Sequence, residues 1–546
     1  MQKQRLSLPA KINIKLVIPL ILSFLFVFSL FYSLFFTKKT INSLVNKNFS
    51  QANQSANKAI FFPKTLSKIT LNKSDTLKAW QTTLELTPLV TDLSYDLDYV
   101  SKNLLNPGQP QANLIIIEEK LLIINAKALV LQDSLHSSFI LKNISVTDQL
   151  DDALKISDQI LLSLNTINKK NHTFLILLQN TEELRASGGF MGSYARVDIN
   201  EGKIINITIQ DIYEPDGQFT GFVDAPYGAK QYLSGGDGLR LPDSNWHPDF
   251  PTAAKTISSY FAFGDERKID SIITLNVDFV EKILKIVGDI YLPDYGLTVT
   301  ADNLTALARA DRNSFFAGSK QKANFLTTLF NNLKIKLTQL NTDQQEQIAN
   351  TLLTGLTHKD LQLFSWHPQL QDIFTNYNVA GEIEYRDQNS FYLYLPETNV
   401  GINKANKKIT REVKVNLGQN RTDLVINFHN DDAQSELDYI NYQRLILNPR
   451  VTIKQIEYDK KPIDFYEDII SNSDGSDFKQ VGFILPLESG LSKTLMVTLT
   501  HQPICATQVC KIQIQKQSGL PPTPYQISFE NIIKNIVLEK DEIISF

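Results

Sequence analysis

The chain has 546 residues, of which 42% are hydrophobic and 10% aromatic, a composition typical of folded globular domains. A single hydrophobic core does not grow to this size, so we expect about two to four domains. The formal net charge is −4, and no segment combines a dense Lys/Arg run with aromatic residues. We therefore do not expect a nucleic-acid partner, because such proteins carry a basic patch.

An uncharged run near the N-terminus is long enough to cross a bilayer. A helix over residues 16–36 rises about 1.5 Å per residue and would span a hydrocarbon layer about 30 Å thick. Four basic residues and no acidic residue precede it: Lys3, Arg5, Lys11 and Lys15. This charge bias favours a cytoplasmic N-terminus at residues 1–15, and a cleaved signal peptide would have a shorter apolar core. We therefore predict a single-pass plasma-membrane protein whose bulk is extracytoplasmic.

Residues 37–170 predict an extracytoplasmic helical region. Val146, Leu150 and Leu154 recur near the helical period, and acidic residues occupy the opposite face. PGQP at 107–110 interrupts the region, and an apolar stretch follows it. Because that stretch contains the charged residues EEK, it is not a second membrane span.

An α/β core is predicted for residues 171–340. The apolar run FLILLQN is followed by the turn ASGGFMGS and by the alternating segments YARVDI and KIINITIQ, which indicate strands. Residues 214–251 are rich in Gly, Pro and Asp and predict a long surface loop. PTAAKTISSYFAF, SIITL, VDFVEKILKIVG and IYL then predict alternating helices and strands, as in an α/β domain. An amphipathic helix at 319–340 and a helical connector at 341–380 follow.

Residues 381–546 predict an all-β, sandwich-like domain. Eight segments alternate polar and apolar residues, with Asn, Asp, Gly and Pro between them. Two cysteines, Cys505 and Cys510, lie close together in this domain. In an oxidising compartment this spacing predicts a disulfide bond, and free thiols or a metal pair are the alternatives.

Several motifs together resemble the bacterial DUF4012 family, whose members are membrane-anchored proteins without an established function. These motifs are FLILLQNTEELRASGGFMGSYARVDINEGKI, DSNWHPDFPTAA, IDSIITLNVDFVEKILKIVGDI and NVGINKANKKITREV, and the resemblance covers about residues 170–530. It implies a protein of the cell envelope.

The order of the elements is similar, more distantly, to the LytR–CpsA–Psr family, which attaches lipid-pyrophosphate-linked glycopolymers to the bacterial wall. That family binds pyrophosphate with arginines and places Mg²⁺ with an aspartate. Arg185 lies near the position of its first arginine motif, and Asp211 lies near its arginine–aspartate position. Lys320 and Lys322 stand where its last arginine pair would be, but lysine lacks the planar fork of arginine.

The candidate residues also permit structural interpretations. Arg185 and the glycines after it predict an anion site, or only a tight turn. Asp211 and Asp216, near Arg240, suit a Mg²⁺ ion or a solvated turn.

A second group of candidates lies around NWHPDF. Trp246 is a candidate for stacking on a sugar or a base, or it pins the loop to the core together with Phe250. Asp249 is a catalytic acceptor or metal ligand, or it caps the helix that follows. NVGINKAN, at 399–406, is interpreted as a turn in which Gly401 has positive φ and Lys404 is exposed.

Two functions follow from these patterns. The first is handling of a polyprenyl-pyrophosphate-linked glycan or wall polymer, with Arg185, Asp211 and Asp249 as catalytic residues converging at one end of the α/β sheet. Substrate contacts would come from Trp246 and Arg240 and from the two lysines of the last arginine-pair position. The second is a non-enzymatic surface protein with the same fold. An apolar tunnel ending at Arg185 would favour the first function.

Overall fold

The computed structural model describes residues 14–46, 48–70, 74–105, 113–138, 146–169, 171–263, 268–308, 320–387, 390–431, 437–503 and 510–546. Within the first helix, side chains are described for residues 27–43. The chain divides into two compact units, of which the first is Met1–Lys169 with Glu201–Lys203 and the second is Lys170–Asn200 with Ile204–Phe546.

The first unit contains long helices. They are α1 (Ile14–Val45), α2 (Phe49–Ala59), α3 (Phe61–Ile69), α4 (Asp75–Asn103), α5 (Leu114–Ser137) and α6 (Val146–Asn168). Trp80 of α4 donates a hydrogen bond of 2.9 Å from Nε1 to Thr37 Oγ1 of α1, and Ala56, Ala59 and Leu84 form a small core. The predicted helical region is therefore helical in its described parts.

The predicted membrane span falls within α1. Among the described residues, none of the helices combines the length and the apolar character needed to cross a bilayer. The side chains of residues 16–26 of the predicted span lie outside the described part.

The α/β part of the second unit is built on one mixed sheet. Its strands and those of a separate hairpin are β1 (His172–Arg185), β2 (Gly188–Asn200), β3 (Lys203–Asp211), β4 (Ser271–Asn276), β5 (Ile290–Leu292), β6 (Leu297–Val299) and β7 (Leu361–Ser365). The strand order is β3-β2-β1-β4-β7, in which β1 runs antiparallel to β2 and parallel to β4, and β4 runs antiparallel to β7. The apolar run FLILLQN forms the central strand β1, because a strand covered on both faces needs continuous apolar residues.

Helices lie between and after these strands. They are α7 (Tyr213–Gln218), α8 (Ala229–Tyr232), α9 (Phe250–Phe263), α10 (Val277–Val287), α11 (Leu304–Leu307), α12 (Gln321–Thr338), α13 (Thr342–Thr357) and α14 (Pro368–Asn376). Helix α10 ends at Gly288, whose φ of 79° suits glycine. Leu175 of β1, Ile257 of α9 and Ile272 of β4 belong to the core of the sheet.

The structure corrects three details of the α/β prediction. The predicted surface loop at 214–251 contains α7, α8 and a 3₁₀ helix at Leu241–Trp246, and several of its side chains are buried. The predicted strand IYL pairs with β6 in a separate hairpin, outside the main sheet. The connector predicted to be helical at 341–380 also supplies β7, which is only five residues long and therefore gives a weak pattern.

The C-terminal part is rich in β-strands, as predicted. They are β8 (Phe391–Tyr394), β9 (Glu397–Asn399), β10 (Ile409–Leu417), β11 (Arg421–Asn430), β12 (Tyr439–Leu447), β13 (Thr452–Tyr458), β14 (Lys461–Pro462), β15 (Tyr466–Ser471), β16 (Asp477–Leu487), β17 (Ser492–Thr500), β18 (Lys511–Gln515), β19 (Thr523–Phe529), β20 (Ile532–Leu538) and β21 (Glu542–Ser545). They form two sheets, ordered β14-β13-β17-β11-β10-β19-β20 and β15-β16-β12-β8-β18-β21, with β9 paired to β12. Val415 of the first sheet and Leu445 of the second belong to one shared core.

Cys510 lies just before β18 and is disulfide-bonded. Cys505, its predicted partner, lies outside the described residues. The pairing of the two cysteines therefore stays a prediction.

Candidate functional site

Arg185 is the last residue of β1 and is 1% exposed. Its Nε donates to Asp243 Oδ1 at 2.8 Å, and its Nη1 lies 3.1–3.4 Å from the main-chain oxygens of Glu183, Leu184 and Asn399. Its Nη2 has no hydrogen-bond partner among the described residues. The guanidinium is thus fixed by one carboxylate and by carbonyl groups, and it keeps one nitrogen for another acceptor.

A tight two-residue turn, Ala186–Ser187, joins β1 to β2, and the glycines that follow it begin β2. Arg185 is paired with Gly188, whose φ is 130°. A Cβ atom at Gly188 would lie 2.1 Å from Gln179 Oε1, and one at Gly189 would lie 2.3 Å from the main chain of Asn180. These close contacts support the tight-turn interpretation, because no side chain fits at either position.

Asp211, the last residue of β3, meets Lys322 from α12. Its Oδ2 lies 3.6 Å from Lys322 Nζ, and its Oδ1 accepts a hydrogen bond of 3.0 Å from the main-chain nitrogen of Tyr213. Lys322 Nζ also donates to the carbonyl of Gly192 at 2.6 Å. Helix α12 therefore brings one of the two predicted lysines to the ends of the strands.

Asp216 and Arg240 form a second ion pair. Arg240 Nε lies 3.2 Å from both carboxylate oxygens of Asp216, and its Nη2 lies 2.9 Å from Oδ2. The main-chain nitrogen of Leu241 also donates to Asp216 Oδ1 at 3.0 Å. The Asp216 carboxylate raises the pKa of Arg240 by hydrogen bonding to the charged guanidinium.

These residues line one cleft with a volume of about 720 Å³. Predicted site residues in its wall are Arg185, Asp211, Asp216, Arg240 and Lys322. The three ion pairs Arg185–Asp243, Arg240–Asp216 and Lys322–Asp211 leave these six side chains with no net charge. Glu183, Tyr213 and Asp243 also line the cleft, and the sequence patterns had not singled them out.

The β-sandwich domain supplies another wall of the cleft. Ile402, Asn403 and Lys404 line it from the segment NVGINKAN. We predicted positive φ at Gly401, but the structure places it at Ile402, with φ of 51°. Lys404 is only partly exposed. The segment therefore forms part of the cleft wall in addition to connecting strands.

Asp249 does not line this cleft. Its side chain is 0% exposed and caps α9, because Oδ2 accepts a hydrogen bond of 3.0 Å from Thr252 N. Its Oδ1 accepts another of 3.0 Å from Ile383 N. Burial raises the pKa of Asp249 to about 6. The predicted convergence thus holds for Arg185 and Asp211, whereas the helix-capping interpretation describes Asp249.

Trp246 and Lys320 also lie outside the cleft lining. Trp246 is 3% exposed and stacks on Tyr442, with ring centroids 5.3 Å apart, while Arg444 lies 4.8 Å from its ring centroid. A buried indole of this kind pins its loop to the core and is not a surface for a sugar. Lys320 precedes α12 and is exposed.

The acidic residues of the cleft do not fit a Mg²⁺ ion held by the protein alone. Both Asp216 oxygens already accept hydrogen bonds from Arg240, which removes one of the two predicted ligands. Among the described residues, no group of three or more His, Cys, Asp or Glu side chains is placed to hold a metal.

An apolar cavity of about 250 Å³ adjoins the cleft. Phe190, Ala308 and Lys322 line both spaces. The rest of the cavity wall is almost entirely apolar and comes from the sheet and from helices α10 and α12. Its apolar residues include Ile176, Ala195, Leu275, Val280, Leu326, Leu329 and Leu333. The amphipathic pattern of α12 predicted an apolar face, but not that this face would border a cavity.

Comparisons with known proteins give one family match. Residues 169–312 match the model described as "Protein of unknown function (DUF4012)", so the predicted resemblance is confirmed over this part of the chain. No curated protein matches the chain.

Solved structures show local similarity to part of this chain. A protein from Listeria innocua is 12% identical, with 39% of this chain and 80% of that chain covered and a TM-score of 0.23. A transcriptional regulator from Enterococcus faecalis is 13% identical, with 41% and 78% covered and a TM-score of 0.23. TagV from B. subtilis is 12% identical, with 39% and 81% covered and a TM-score of 0.17.

Proposed function

We propose that this DUF4012-containing chain binds a polyprenyl-phosphate or polyprenyl-pyrophosphate ligand that carries a surface glycan. The phosphate end would lie in the polar cleft, and the first part of the lipid chain would lie in the apolar cavity. The observation that carries this proposal is the contact between the two spaces, which share Phe190, Ala308 and Lys322 in their walls. An amphipathic ligand, with a charged end and an apolar chain, fits both the polar cleft and the apolar cavity.

The polar cleft offers oriented donors for phosphate oxygens. Arg185 and Arg240 are each held by a carboxylate, and each keeps one terminal nitrogen without a hydrogen-bond partner among the described residues. A guanidinium held in this way loses little side-chain entropy when it binds an anion. The apolar cavity would add about 0.8 kcal/mol for each methylene group that leaves water.

Binding without transfer is favoured by the pairing of charges in the cleft. The carboxylates of Asp243, Asp216 and Asp211 oppose an incoming phosphate and balance the charges of Arg185, Arg240 and Lys322. Glu183 and Lys404 add one residue of each charge type to the lining. A phosphotransfer site concentrates positive charge where negative charge develops. We therefore place a non-enzymatic binding role first, and glycopolymer phosphotransfer is the second candidate, favoured by the same lipid-shaped cavity.

Binding is tested with geranylgeranyl pyrophosphate and inorganic pyrophosphate by isothermal titration calorimetry. Arg185→Ala is expected to weaken binding of both ligands about ten- to a hundredfold, because a charge-assisted contact of about 1.5–3 kcal/mol is lost. Ala195→Phe, which fills the apolar cavity, is expected to weaken binding of the lipid only. Arg450→Ala, at an exposed arginine outside the cleft, is the control. Equal affinities for wild type and Arg185→Ala would remove the proposal.

A membrane location of the chain belongs to the same proposal. On the described half of α1, several large apolar side chains are exposed: Val27, Phe28, Phe31, Leu34 and Phe35. Leu, Phe and Val side chains on a helix are stabilised by transfer from water into lipid. Together with the basic residues before the apolar run, they support a single anchor with the bulk of the chain outside the cytoplasm.

Protease added to spheroplasts tests this orientation. We expect degradation of the chain beyond residue 40 and protection of about the first fifteen residues, because the charge bias holds the N-terminus inside. An epitope tag at each end reports the two outcomes, and a cytoplasmic marker protein controls for lysis. Protection of the C-terminal tag would contradict the orientation.

A further inference from the structure

Four tyrosines form a cluster outside the lining of the polar cleft. The rings of Tyr227 and Tyr466 stack with centroids 3.8 Å apart and 15° between their planes. The ring of Tyr232 lies 5.8 Å from that of Tyr442. Tyr227 is 36% exposed and Tyr232 is 42% exposed. The cluster therefore presents two aromatic rings with hydroxyl tips to solvent.

A buried aromatic stack supports these exposed rings. Tyr442 is 0% exposed, and Trp246 stacks on it. A Cβ atom at Gly482 would lie 2.1 Å from Tyr442 Oη, and one at Gly228 would lie 2.5 Å from its Cζ, so the ring needs glycine at both positions. The Tyr442 hydroxyl is buried without a hydrogen-bond partner among the described residues. Tyr232 thus rests on a fixed base, and Tyr227 is held by its stack on Tyr466.

The cluster is continuous in sequence with the cleft. Tyr232 is followed directly by Leu233, which lines the cleft, and Tyr213 and Arg240 of the same segment line it as well. The nearby charged side chains Asp224 and Lys230 form an ion pair of 3.0 Å and neutralise each other. Partial burial raises the pKa of Tyr232, so its hydroxyl stays neutral. A ligand chain leaving the cleft along this segment meets neutral, amphipathic rings.

We propose that the exposed Tyr227 and Tyr232, supported by Tyr442 and Tyr466, bind a carbohydrate chain by stacking. A sugar ring has an apolar face of C–H groups and a rim of hydroxyls, which matches a tyrosine ring with its phenolic tip. The proposal deepens the proposed function, since the carbohydrate would be the glycan of the lipid-linked ligand. It names a site for the glycan that is separate from the phosphate contacts.

Chitohexaose and cellohexaose are the probes, titrated into the full chain in detergent and followed by tyrosine fluorescence and calorimetry. Wild-type protein is expected to bind at least one of them. The double variant Tyr227→Ala/Tyr232→Ala is expected to bind it about tenfold more weakly, because two stacking contacts are lost. Tyr227→Phe/Tyr232→Phe keeps the rings and is expected to stay within about threefold of wild type. Tyr291→Ala/Tyr377→Ala, at tyrosines 59% and 49% exposed elsewhere, is the matched control.

Geranylgeranyl pyrophosphate, which carries no sugar, separates the two proposals. The double alanine variant is expected to bind it as wild type does, which also shows that the variant is folded. The carbohydrate site is overturned if neither hexasaccharide binds wild-type protein, or if the double alanine variant binds as tightly as wild type. Loss of pyrophosphate binding in Arg185→Ala with retained hexasaccharide binding would support both sites independently.

Discussion

His172, at the start of β1, is a buried neutral residue that makes stability depend on pH. Its Nε2 lies 3.0 Å from Ser271 Oγ, and its ring stacks on that of His367. Burial, opposed by Asp270 and reinforced by His367, lowers its pKa from 6.5 to about 4. Between these values the unfolded chain binds more protons than the folded chain, so the contribution of His172 is complete above about pH 6.5 and is lost as pH falls towards 4.

We expect this one site to lower the free energy of unfolding by about 1–2 kcal/mol between about pH 7 and pH 5. Thermal unfolding of wild type and His172→Gln at the two pH values measures it, and the variant should lose less stability on acidification. His429→Gln, at an exposed histidine, should keep the wild-type pH dependence. An identical pH dependence in His172→Gln would show that another group carries the effect.

At the scale of elements, the turn between β1 and β2 sets the position of Arg185. Gly188 has φ of 130°, which costs a residue with a side chain about 1–3 kcal/mol. A Cβ atom there would also displace the buried Gln179 side chain. We expect Gly188→Ala to lower the free energy of unfolding by about 2 kcal/mol or more and to weaken pyrophosphate binding, because Arg185 faces this residue across the hairpin.

Urea unfolding followed by circular dichroism checks the loss of stability, and calorimetry checks the binding. Gly217→Ala is the matched control, because a Cβ atom at Gly217 would meet nothing within 4 Å. Unchanged stability of Gly188→Ala would mean that the hairpin can relax without cost.

The elements themselves were largely predictable, whereas the site was only partly so. FLILLQN is a short apolar run and KIINITIQ alternates, and both lie in strands that end at predicted site residues, Arg185 and Asp211. The partners of these residues depend on tertiary contacts. Asp243 lies 58 positions from Arg185 and has no local pattern. Strand β7 was missed because five residues among helices give no clear period.

For Trp246 and Asp249, the sequence identified the residues but not their roles. Their residue types suit chemistry and structure equally well, and only burial distinguishes the two interpretations. Trp246 is 3% exposed, and both Asp249 oxygens accept main-chain hydrogen bonds. A sequence reports the side-chain chemistry, but it does not report which groups remain accessible after folding.

At the scale of the whole molecule, the α/β part and the β-sandwich belong to one compact unit. The Asn399 carbonyl, 214 positions from Arg185, accepts a hydrogen bond from its Nη1. Gln517 Nε2 donates to the Arg185 carbonyl at 2.9 Å, and Asn406 Nδ2 donates to the Thr181 carbonyl at 2.8 Å. The main-chain nitrogen of Ile383 donates a hydrogen bond of 3.0 Å to Asp249 Oδ1. The sandwich thus completes the hydrogen bonding of buried groups around the cleft.

We therefore expect the fragment 171–380 to lack cooperative unfolding and to bind pyrophosphate at least about tenfold more weakly than the fragment 171–546. Without the sandwich, buried polar groups at Arg185, Thr181 and Asp249 lose their partners, and each such group costs about 1–3 kcal/mol. Gln517→Ala in the longer fragment is a milder change, which removes the hydrogen bond to the Arg185 carbonyl and two hydrogen bonds with the Glu397 main chain while the sandwich remains. It should lower the free energy of unfolding by about 1–3 kcal/mol and shift affinity by a smaller factor than the truncation. Denaturant unfolding and calorimetry on the three proteins give the order of the effects. Cooperative unfolding of 171–380 with the affinity of 171–546 would show that the α/β part folds and binds on its own.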